Sequence, residues 1–326
     1  MQPSLFDQIR AGAAEVMRRA KHVRLAPPDV IRRYALGLPL EKLAKPTIDP
    51  ASHYIDALRP EITAAFFVTL DTINFGSGYF PNLRKRPGKS GYYTVATCLM
   101  EEFQRRGGPI GAPELCNLTA DRCRQMFQQS PDDGPIDELM GLFAQALNDL
   151  GRLLLNDFGG EAANLIRSCD HSAERLARTL SRMPFFRDVQ RYAPDLEVPF
   201  FKRAQLTAAD LSIAMNGRGL GEFRDLDRLT IFADNLVPHV LRVDGVLQYD
   251  PALAARIDSE QLIGPNSPEE IELRAGAVHV CELIVSELLA AGRSVTAAQV
   301  DYLLWHRGGE PFYKARPRHR ARSVFY

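Results

Sequence analysis

The sequence contains few cysteines and no pattern of metal ligands. Only 5 of its 326 residues are cysteine, no two of them form a CxxC pair, and their number is odd. This composition is typical of reduced thiols in a cytoplasmic protein rather than of a disulfide framework. The 7 histidines are scattered without metal-ligand spacing, so we predict no metal site.

The motifs of several large enzyme classes are also missing. There is no GxxxxGK(S/T) phosphate loop, no GxGxxG after a strand, no GxSxG elbow and no HExxH. We therefore predict no bound cofactor. No stretch reaches the roughly 18 apolar residues of a membrane helix, and the first residues lack the basic region and apolar core of a secretory signal. No membrane partner is predicted.

The sequence has no excess of either charge, because 40 basic residues balance 40 acidic ones. Proteins that bind bulk nucleic acid normally carry a basic excess, so we predict no stable nucleic-acid partner. A neutral balance remains compatible with one small anionic ligand. The apolar content of 45% is ordinary for a globular protein and excludes global disorder.

Helix signals dominate what is present. Ser267–Glu270 and Thr296–Gln299 each match a capping box. Two short strands are predicted, over 196–201 and 323–326, and a turn over 131–135. Apolar periodicity, caps and glycine stops predict helices over residues 4–24, 30–38, 62–73, 90–105, 119–129, 136–158, 162–169, 172–182, 202–215, 268–291 and 300–305.

No repeat, low-complexity segment or change of composition marks a linker within the sequence. The sequence therefore predicts an all-α helical protein with at most a few short strands, organised as a single domain over residues 1–326. Two helical lobes with the functional site between them are the open alternative.

Asp234 is the most informative single residue, because it lies between the apolar runs Ile231–Ala233 and Leu236–Val237. A carboxylate in such a setting is partly desolvated, so it is paired, caps a helix or takes part in chemistry. The capping and chemical roles are compatible, since a helix N-terminus keeps a carboxylate ionised. The flanking runs predict a helix–turn–helix with Asp234 in the turn.

Two further stretches carry polar groups that suit a ligand site. A largely apolar helix brings Asp71 and Asn74, three residues apart, to a Gly-Ser-Gly turn that begins after Phe75. A buried hydrogen-bond network that anchors the turn is the alternative. Lys202 and Arg203 follow two phenylalanines, and their stems can equally well cover apolar surface. The basic segment 316–322 is predicted to be a solvated end.

At these residues the sequence resembles the queuosine salvage protein family, the queuosine 5′-phosphate N-glycosidases. The resemblance covers nearly the whole chain, and its six blocks in the right order are specific although each is modest alone. The blocks are Phe201–Gln205, Ile231–Asp234 with Pro238, Asp71–Phe75, Ser90–Tyr92, Glu270–Arg274 and Asp301–Trp305.

The resemblance implies an all-α fold similar to helix-hairpin-helix DNA glycosylases, without their duplex-binding role. It also implies hydrolysis of the bond between ribose and the 7-deazaguanine base queuine, which is then reused in tRNA modification. Asp234 matches the catalytic aspartate of the family, and Lys202 matches an active-site lysine. The sequence departs from many eukaryotic members at Gly76–Tyr79 and at Asn235–Leu236, which affects contacts at the pocket rim more than the reaction.

This hypothesis gives each candidate residue a role toward a small nucleotide substrate. Asp234 stabilises an oxocarbenium-like transition state, and Asp71 accepts hydrogen bonds from the guanine-like edge of the base. Lys202 holds the 5′-phosphate or keeps Asp234 ionised, and Arg203 is the next candidate for the phosphate. The remaining candidates contact the base or ribose or line the pocket: Asn74, Phe75, Trp305, Asp301, Arg274, Tyr54 and His53.

Two alternatives stay open at this point. Trp305 belongs to the hydrophobic core in one interpretation and stacks on the base in the other. The chain as a whole is either a queuosine 5′-phosphate N-glycosidase or a non-catalytic helical module that binds nucleic acid with a glycosylase-like fold. The neutral charge and the buried setting of Asp234 favour the enzyme.

Overall fold

Helices account for most of the ordered backbone. The computed structural model describes residues 3–43, 46–131 and 134–326, so the centre of the turn predicted over 131–135 lies outside the described residues. The helices are α1 (Leu5–Arg19), α2 (Pro28–Leu36), α3 (Pro60–Thr72), α4 (Gly91–Arg106), α5 (Ala112–Leu115), α6 (Ala120–Met126), α7 (Gly134–Asp157), α8 (Ala162–Ser168), α9 (Ala173–Leu180), α10 (Lys202–Ala214), α11 (Val237–Val243), α12 (Pro251–Asp258), α13 (Pro268–Ala290), α14 (Ala297–Gly308) and α15 (Pro311–Lys314). The all-α prediction is confirmed, while the likeness to DNA glycosylases stays a prediction.

Two small antiparallel sheets and four short 3-10 helices accompany the α-helices of the described ranges. Strand β2 (Val189–Ala193) pairs with β3 (Leu196–Pro199), close to the predicted strand. Strand β1 (Val23–Leu25) pairs with β4 (Leu247–Tyr249), and the sequence analysis missed both. The strand predicted over 323–326 is wrong, since that segment has no regular structure. None of the described helices is long and apolar enough to cross a membrane.

Helix ends largely follow the signals in the sequence. Thr296 and Gln299 form the predicted capping box at the start of α14. At α13, Ser267 accepts from the backbone N–H of Glu270, but the Glu270 carboxylate accepts from Asn266. The predicted hydrogen bond from the Ser267 backbone N–H to the Glu270 side chain is therefore wrong. The Glu270 carboxylate accepts from the backbone N–H of Asn266 instead and faces Arg274 in the interior.

The helices that carry the candidate residues are among the most buried. Helices α3 and α13 are buried on most of their faces, and α10 packs against α3 and α9. The segment before Asp234 is not helical: residues 229–233 run without regular structure, and α11 begins at Val237. The predicted helix–turn–helix is thus wrong, and Asp234 lies where an extended segment enters a short helix.

Close packing of α5 on α7 makes Gly151 sensitive to substitution. A Cβ atom at Gly151 would lie 2.6 Å from the Cys116 backbone nitrogen and 2.8 Å from the Ala112 carbonyl oxygen. We expect Gly151→Ala to lower the free energy of unfolding by about 1–3 kcal/mol, because backbone cannot yield as a side chain can. Urea denaturation measures the change.

Gly141 provides the matched control on the same helix. A Cβ atom there would meet nothing within 4 Å, so Gly141→Ala should raise the free energy of unfolding by about 0.5–1 kcal/mol through helix propensity. Equal effects at the two positions would contradict the proposed packing of α5 on α7.

Candidate active site

Asp234 presents one carboxylate oxygen to the backbone and leaves the other unused. Its Oδ1 accepts from the N–H of Leu236 at 2.7 Å and of Val237 at 3.3 Å. The capping interpretation is correct in these hydrogen bonds, although the N-cap residue of α11 is Leu236 itself. Within the described residues no donor reaches Oδ2. The turn therefore holds the carboxylate in place while one oxygen stays available for a ligand.

Lys202 stands at the first position of α10 and is buried, with 6% of its surface exposed. Its backbone N–H donates to Asp188 at 3.5 Å, and Phe201 before it has a left-handed backbone, a strained conformation for a phenylalanine. Burial lowers the pKa of the Lys202 ammonium, and the charge of Asp234 opposes this most strongly. Of the two roles predicted for Lys202, these electrostatics favour pairing with Asp234.

Three more buried aspartates interact electrostatically with the ammonium of Lys202. We call Asp71, Lys202, Asp210, Asp234 and Asp301 the carboxylate cluster. Asp71, Asp210 and Asp301 are 0%, 9% and 5% exposed. Burial raises the pKa of all three carboxyls, and Lys202 lowers each of them in opposition. The negative charge of Asp234 adds to the rise at Asp301, and that of Asp71 adds to the rise at Asp210. Burial thus disfavours the ionised form of each of these three carboxyls.

Asp71 and Asn74 are brought together as predicted, but past the end of the helix. Asn74 lies beyond α3, and its Nδ2 donates to Asp71 Oδ1 at 3.2 Å. Asp71 Oδ2 is buried and has no hydrogen-bond partner. A buried acceptor without a partner is costly, so this oxygen suits a hydrogen bond from a bound ligand.

The burial of Asp71 predicts a pH-dependent effect on stability. Its pKa is raised from 3.8 to about 6, so the folded protein binds the proton more tightly than the unfolded chain does. Stability from this group is complete below pH 3.8 and is lost as the pH rises through 6. We expect the free energy of unfolding of Asp71→Asn, relative to wild type, to rise by about 2 kcal/mol between pH 4.5 and 7.5. Urea denaturation at each pH measures it, and a constant difference would contradict the assignment.

Arg274 hydrogen-bonds to the backbone next to Asp234 and stabilises the loop that contains Asp234. The guanidinium is fully buried and contacts Asp188 with two hydrogen bonds, at 3.0 and 2.5 Å. Its Nε donates to the carbonyl of Ala233 at 3.0 Å. Because Asp188 also accepts from the backbone of Lys202, one ion pair connects the backbone next to Asp234 with the start of α10. These contacts favour a positioning role over the predicted pocket lining.

Both terminal nitrogens of Arg203 donate to backbone carbonyls. It donates to the carbonyls of Asp71 and Thr72 at 2.8 and 2.7 Å, and to those of Val324 and Phe185. Its guanidinium also stacks 4.9 Å from the centre of the Phe75 ring. The structure thus favours structural roles for Arg203 and Phe75 over the predicted contacts with phosphate and base.

His53 reaches the carboxylate cluster through Tyr92. Nδ1 of His53 donates to the Asp49 carbonyl at 2.8 Å, so Nε2 accepts from the Tyr92 hydroxyl at 2.8 Å. Burial lowers the pKa of His53, in keeping with a neutral ring. Burial raises the pKa of Tyr92, and the charges of Asp210 and Asp71 raise it further. Tyr92 therefore lies between His53 and these two carboxyls.

Tyr54 and Trp305 have no ring contact with the carboxylate cluster within the described residues. The Tyr54 ring packs 5.8 Å from Phe103 and 6.4 Å from Phe66, which makes it part of the core. Trp305 is half-buried, and its ring lies edge-on to His306 at 5.2 Å. No contact places Trp305 in the deep core or against the carboxylate cluster, so stacking on a base stays a prediction.

Asp301 hydrogen-bonds directly to the Asp234 loop, a contact that the sequence did not predict. Its Oδ1 accepts from the backbone N–H of Phe232 at 2.8 Å, so this hydrogen bond connects α14 with the Asp234 loop.

Sequence reasoning missed Asp210, Tyr92 and Asp188. Asp210 had a detectable signal, since it follows Lys202 by eight residues and falls on the same side of a helix. Asp188 had none, because only tertiary packing brings it to Arg274.

A separate cleft of about 880 Å³ lies elsewhere on the molecule. Its lining includes Asp56, Arg167, His171 and Arg218, and none of the predicted site residues. Arg167 is already paired with Glu61. The cleft is large, but none of its lining residues has a buried polar atom without a partner, as Asp71 has.

Comparisons with known proteins show similarity to one family. The model of a family described as "Queuosine salvage protein" matches residues 53–326. A protein of Sphaerobacter thermophilus is 32% identical over 302 residues, covering 91% of each chain. A protein of Dictyostelium discoideum is 31% identical over 82% of this chain and 79% of its own. One of Bos taurus is 30% identical over 73% and 72%. All three are named queuosine 5′-phosphate N-glycosylase/hydrolase.

Proposed function

The chain belongs to the queuosine salvage protein family, and from this premise we propose that it is an N-glycosidase that hydrolyses queuosine 5′-phosphate and releases queuine. The family match covers residues 53–326, and the relatives that carry this name extend over most of the chain. The substrate is accordingly a small nucleotide. The released base then serves tRNA modification.

The observation that carries the catalytic assignment is the carboxylate of Asp234, which two backbone N–H groups hold through Oδ1 while no donor among the described residues reaches Oδ2. Breaking the bond between C1′ and N9 builds positive charge on C1′ and O4′ of the ribose. A carboxylate held by two backbone N–H groups stays ionised without further reorganisation and stabilises that charge. In this proposal Asp234 faces the ribose, and Lys202 keeps it ionised. Water then adds to C1′, and its proton passes to the carboxylate or to solvent.

The leaving base places a second demand on the site. A 7-deazapurine has carbon at position 7, so it cannot be protonated there, and its departing electrons must be stabilised through other edge atoms. Asp71 Oδ2, buried without a partner, accepts from the guanine-like amine and ring N–H. Asp301, whose pKa burial raises, gives a proton to the departing base, which leaves as neutral queuine. The proton that the attacking water releases replaces it. Asn74 and Tyr92 complete the polar wall.

The direct test uses chromatography to measure the release of free queuine from queuosine 5′-phosphate. We expect queuine and ribose 5-phosphate in equal amounts, because hydrolysis of one bond produces one of each. Guanosine 5′-phosphate serves as the comparison substrate. Release of neither product by well-folded protein would overturn the proposal.

A nucleic-acid-binding module would behave differently in the same preparation. It would release no base, and it would shift tRNA or duplex DNA in a salt-dependent way. No contact among the described residues favours this alternative.

A further inference from the structure

The basic segment 316–322 packs back onto the Asp234 loop rather than extending into solvent. His319 and Ala321 are buried, at 1% and 0% exposure. The side-chain amide of Asn235 donates to the His319 carbonyl at 3.4 Å, and the backbone N–H of Ile263 donates to the Arg320 carbonyl at 2.8 Å. The prediction of a solvated end is therefore wrong. Arg318 directly precedes His319, whose carbonyl accepts from Asn235, the residue after Asp234.

Arg318 differs from the other arginines of this segment in having no partner. Arg316 donates to the Phe312 carbonyl and stacks on its ring, Arg320 donates to the Glu260 carbonyl, and Arg322 pairs with Glu138. Arg318 is exposed, and it makes no hydrogen bond or ion pair with any residue in the described ranges. The surrounding protein lowers the pKa of the Arg318 guanidinium, and the negative charge of Asp234 opposes this.

A 5′-phosphate needs such a cation near this site. The carboxylate cluster contains four carboxyl groups and one ammonium, so it repels a phosphate dianion unless another positive charge faces it. Lys202 is buried and interacts with those carboxyls. The terminal nitrogens of Arg203 donate to backbone carbonyls, and the guanidinium of Arg274 donates to Asp188 and to the Ala233 carbonyl. Arg318 is the remaining arginine beside the Asp234 loop with its donors free. A guanidinium also matches the planar geometry of phosphate oxygens.

We propose that Arg318 binds the 5′-phosphomonoester of the substrate and makes the enzyme prefer the nucleotide over the free nucleoside. This inference rests on the proposed function and adds to it the residue that recognises the phosphate. Arg318 contacts no reacting atom in this proposal, so the intrinsic glycosidase chemistry at Asp234 does not depend on it.

The test compares kcat/KM for queuosine 5′-phosphate and for queuosine in wild type, Arg318→Ala and Arg318→Lys. We expect Arg318→Ala to lower kcat/KM roughly 10- to 100-fold for the nucleotide, as loss of a charge-assisted contact does, and less than about threefold for the nucleoside. Arg318→Lys should fall between, since lysine keeps the charge and loses the paired donors. Arg316→Ala is the matched control and should leave both values near wild type. An unchanged ratio in Arg318→Ala would overturn the inference.

A binding measurement separates this inference from the proposed function. Titration calorimetry with ribose 5-phosphate and with ribose requires no turnover. We expect wild type and Arg316→Ala to bind ribose 5-phosphate more tightly than ribose, and Arg318→Ala to lose that difference. If no variant releases queuine but this pattern holds, the phosphate site stands and the reaction is wrong. If queuine is released and Arg318→Ala keeps the preference for the phosphate, the phosphate site is wrong and the reaction stands.

Discussion

Asp234→Asn is expected to lower kcat by at least about 1,000-fold while the protein remains folded. The asparagine side-chain oxygen can still accept from Leu236 and Val237, which hold Oδ1 at 2.7 and 3.3 Å. The substitution therefore removes the negative charge and preserves the turn. The expected loss corresponds to about 4 kcal/mol of transition-state stabilisation, the size seen when a fixed electrostatic group is removed. Queuine release at saturating queuosine 5′-phosphate measures it.

Asp250→Asn is the matched control for this prediction. Asp250 caps α12 through the same pattern, with Oδ1 accepting from Ala252 at 2.8 Å and Leu253 at 2.9 Å. The two variants thus lose the same charge from the same kind of turn, and only Asp250→Asn should retain activity. Should Asp234→Asn turn over as fast as the control, Asp234 serves only to cap α11.

Arg274→Met is expected to lower the free energy of unfolding by about 3–5 kcal/mol. Arg274 is the cation for Asp188, at 2.5 Å, and lies 3.8 Å from Glu270, and all three side chains are at most 3% exposed. Removing one partner of a buried pair leaves its carboxylates in the interior without compensation. The carbonyl of Ala233 also loses its donor. Chemical denaturation of purified protein, with the slope compared between variants, measures the change.

Arg256→Met tests whether burial is the reason for the effect. Arg256 pairs with Glu269 at 3.0 Å, but the two side chains are 37% and 21% exposed, so the same substitution should cost less than about 1 kcal/mol. Similar losses in the two variants would show that methionine, not burial of the charges, is responsible. A small loss in Arg274→Met alone would mean that Asp188 and Glu270 become protonated or hydrated at little cost.

The carboxylate cluster is unfavourable for stability and suited to chemistry. Several aspartates share one ammonium in a buried space, and the pKa of Asp71 rises to about 6 because of burial. Perturbed carboxyls of this kind concentrate at functional sites. The expected rise with pH in the stability of Asp71→Asn relative to wild type and the expected loss of activity in Asp234→Asn are thus consequences of the same arrangement.

Much of the helical structure followed from local sequence, and the strands did not. The predicted bounds of α3, α4 and α10 lie within two residues of those observed. The three-residue strands β1 and β4 were missed because each is stabilised only by the other, more than 220 residues away. The residues before Asp234 have an apolar pattern that a helix would share, yet Arg274 and Asp301 hold their backbone in a non-helical form.

The identities of Asp234 and Lys202 as candidates came from sequence, while the roles of their neighbours did not. Lys202 and Arg203 are adjacent and equally cationic, but α10 turns one toward the carboxylate cluster and the other toward backbone carbonyls. Arg318 was assigned to a solvated end because a run of arginines in isolation favours water. Its position beside the Asp234 loop depends on hydrogen bonds from Asn235 and Ile263.

By itself the sequence determined the helical class, most helix ends and the residue types available for chemistry, because caps, periodicity and side-chain chemistry are local properties. Tertiary structure alone decided which charges meet. Asp71, Lys202, Asp210, Asp234 and Asp301 are brought together from α3, α10, α14 and the loop before α11. The pKa and the partner of a buried charge depend on the desolvation and the neighbouring charges that packing creates, and neither is encoded in the residue's own surroundings along the chain.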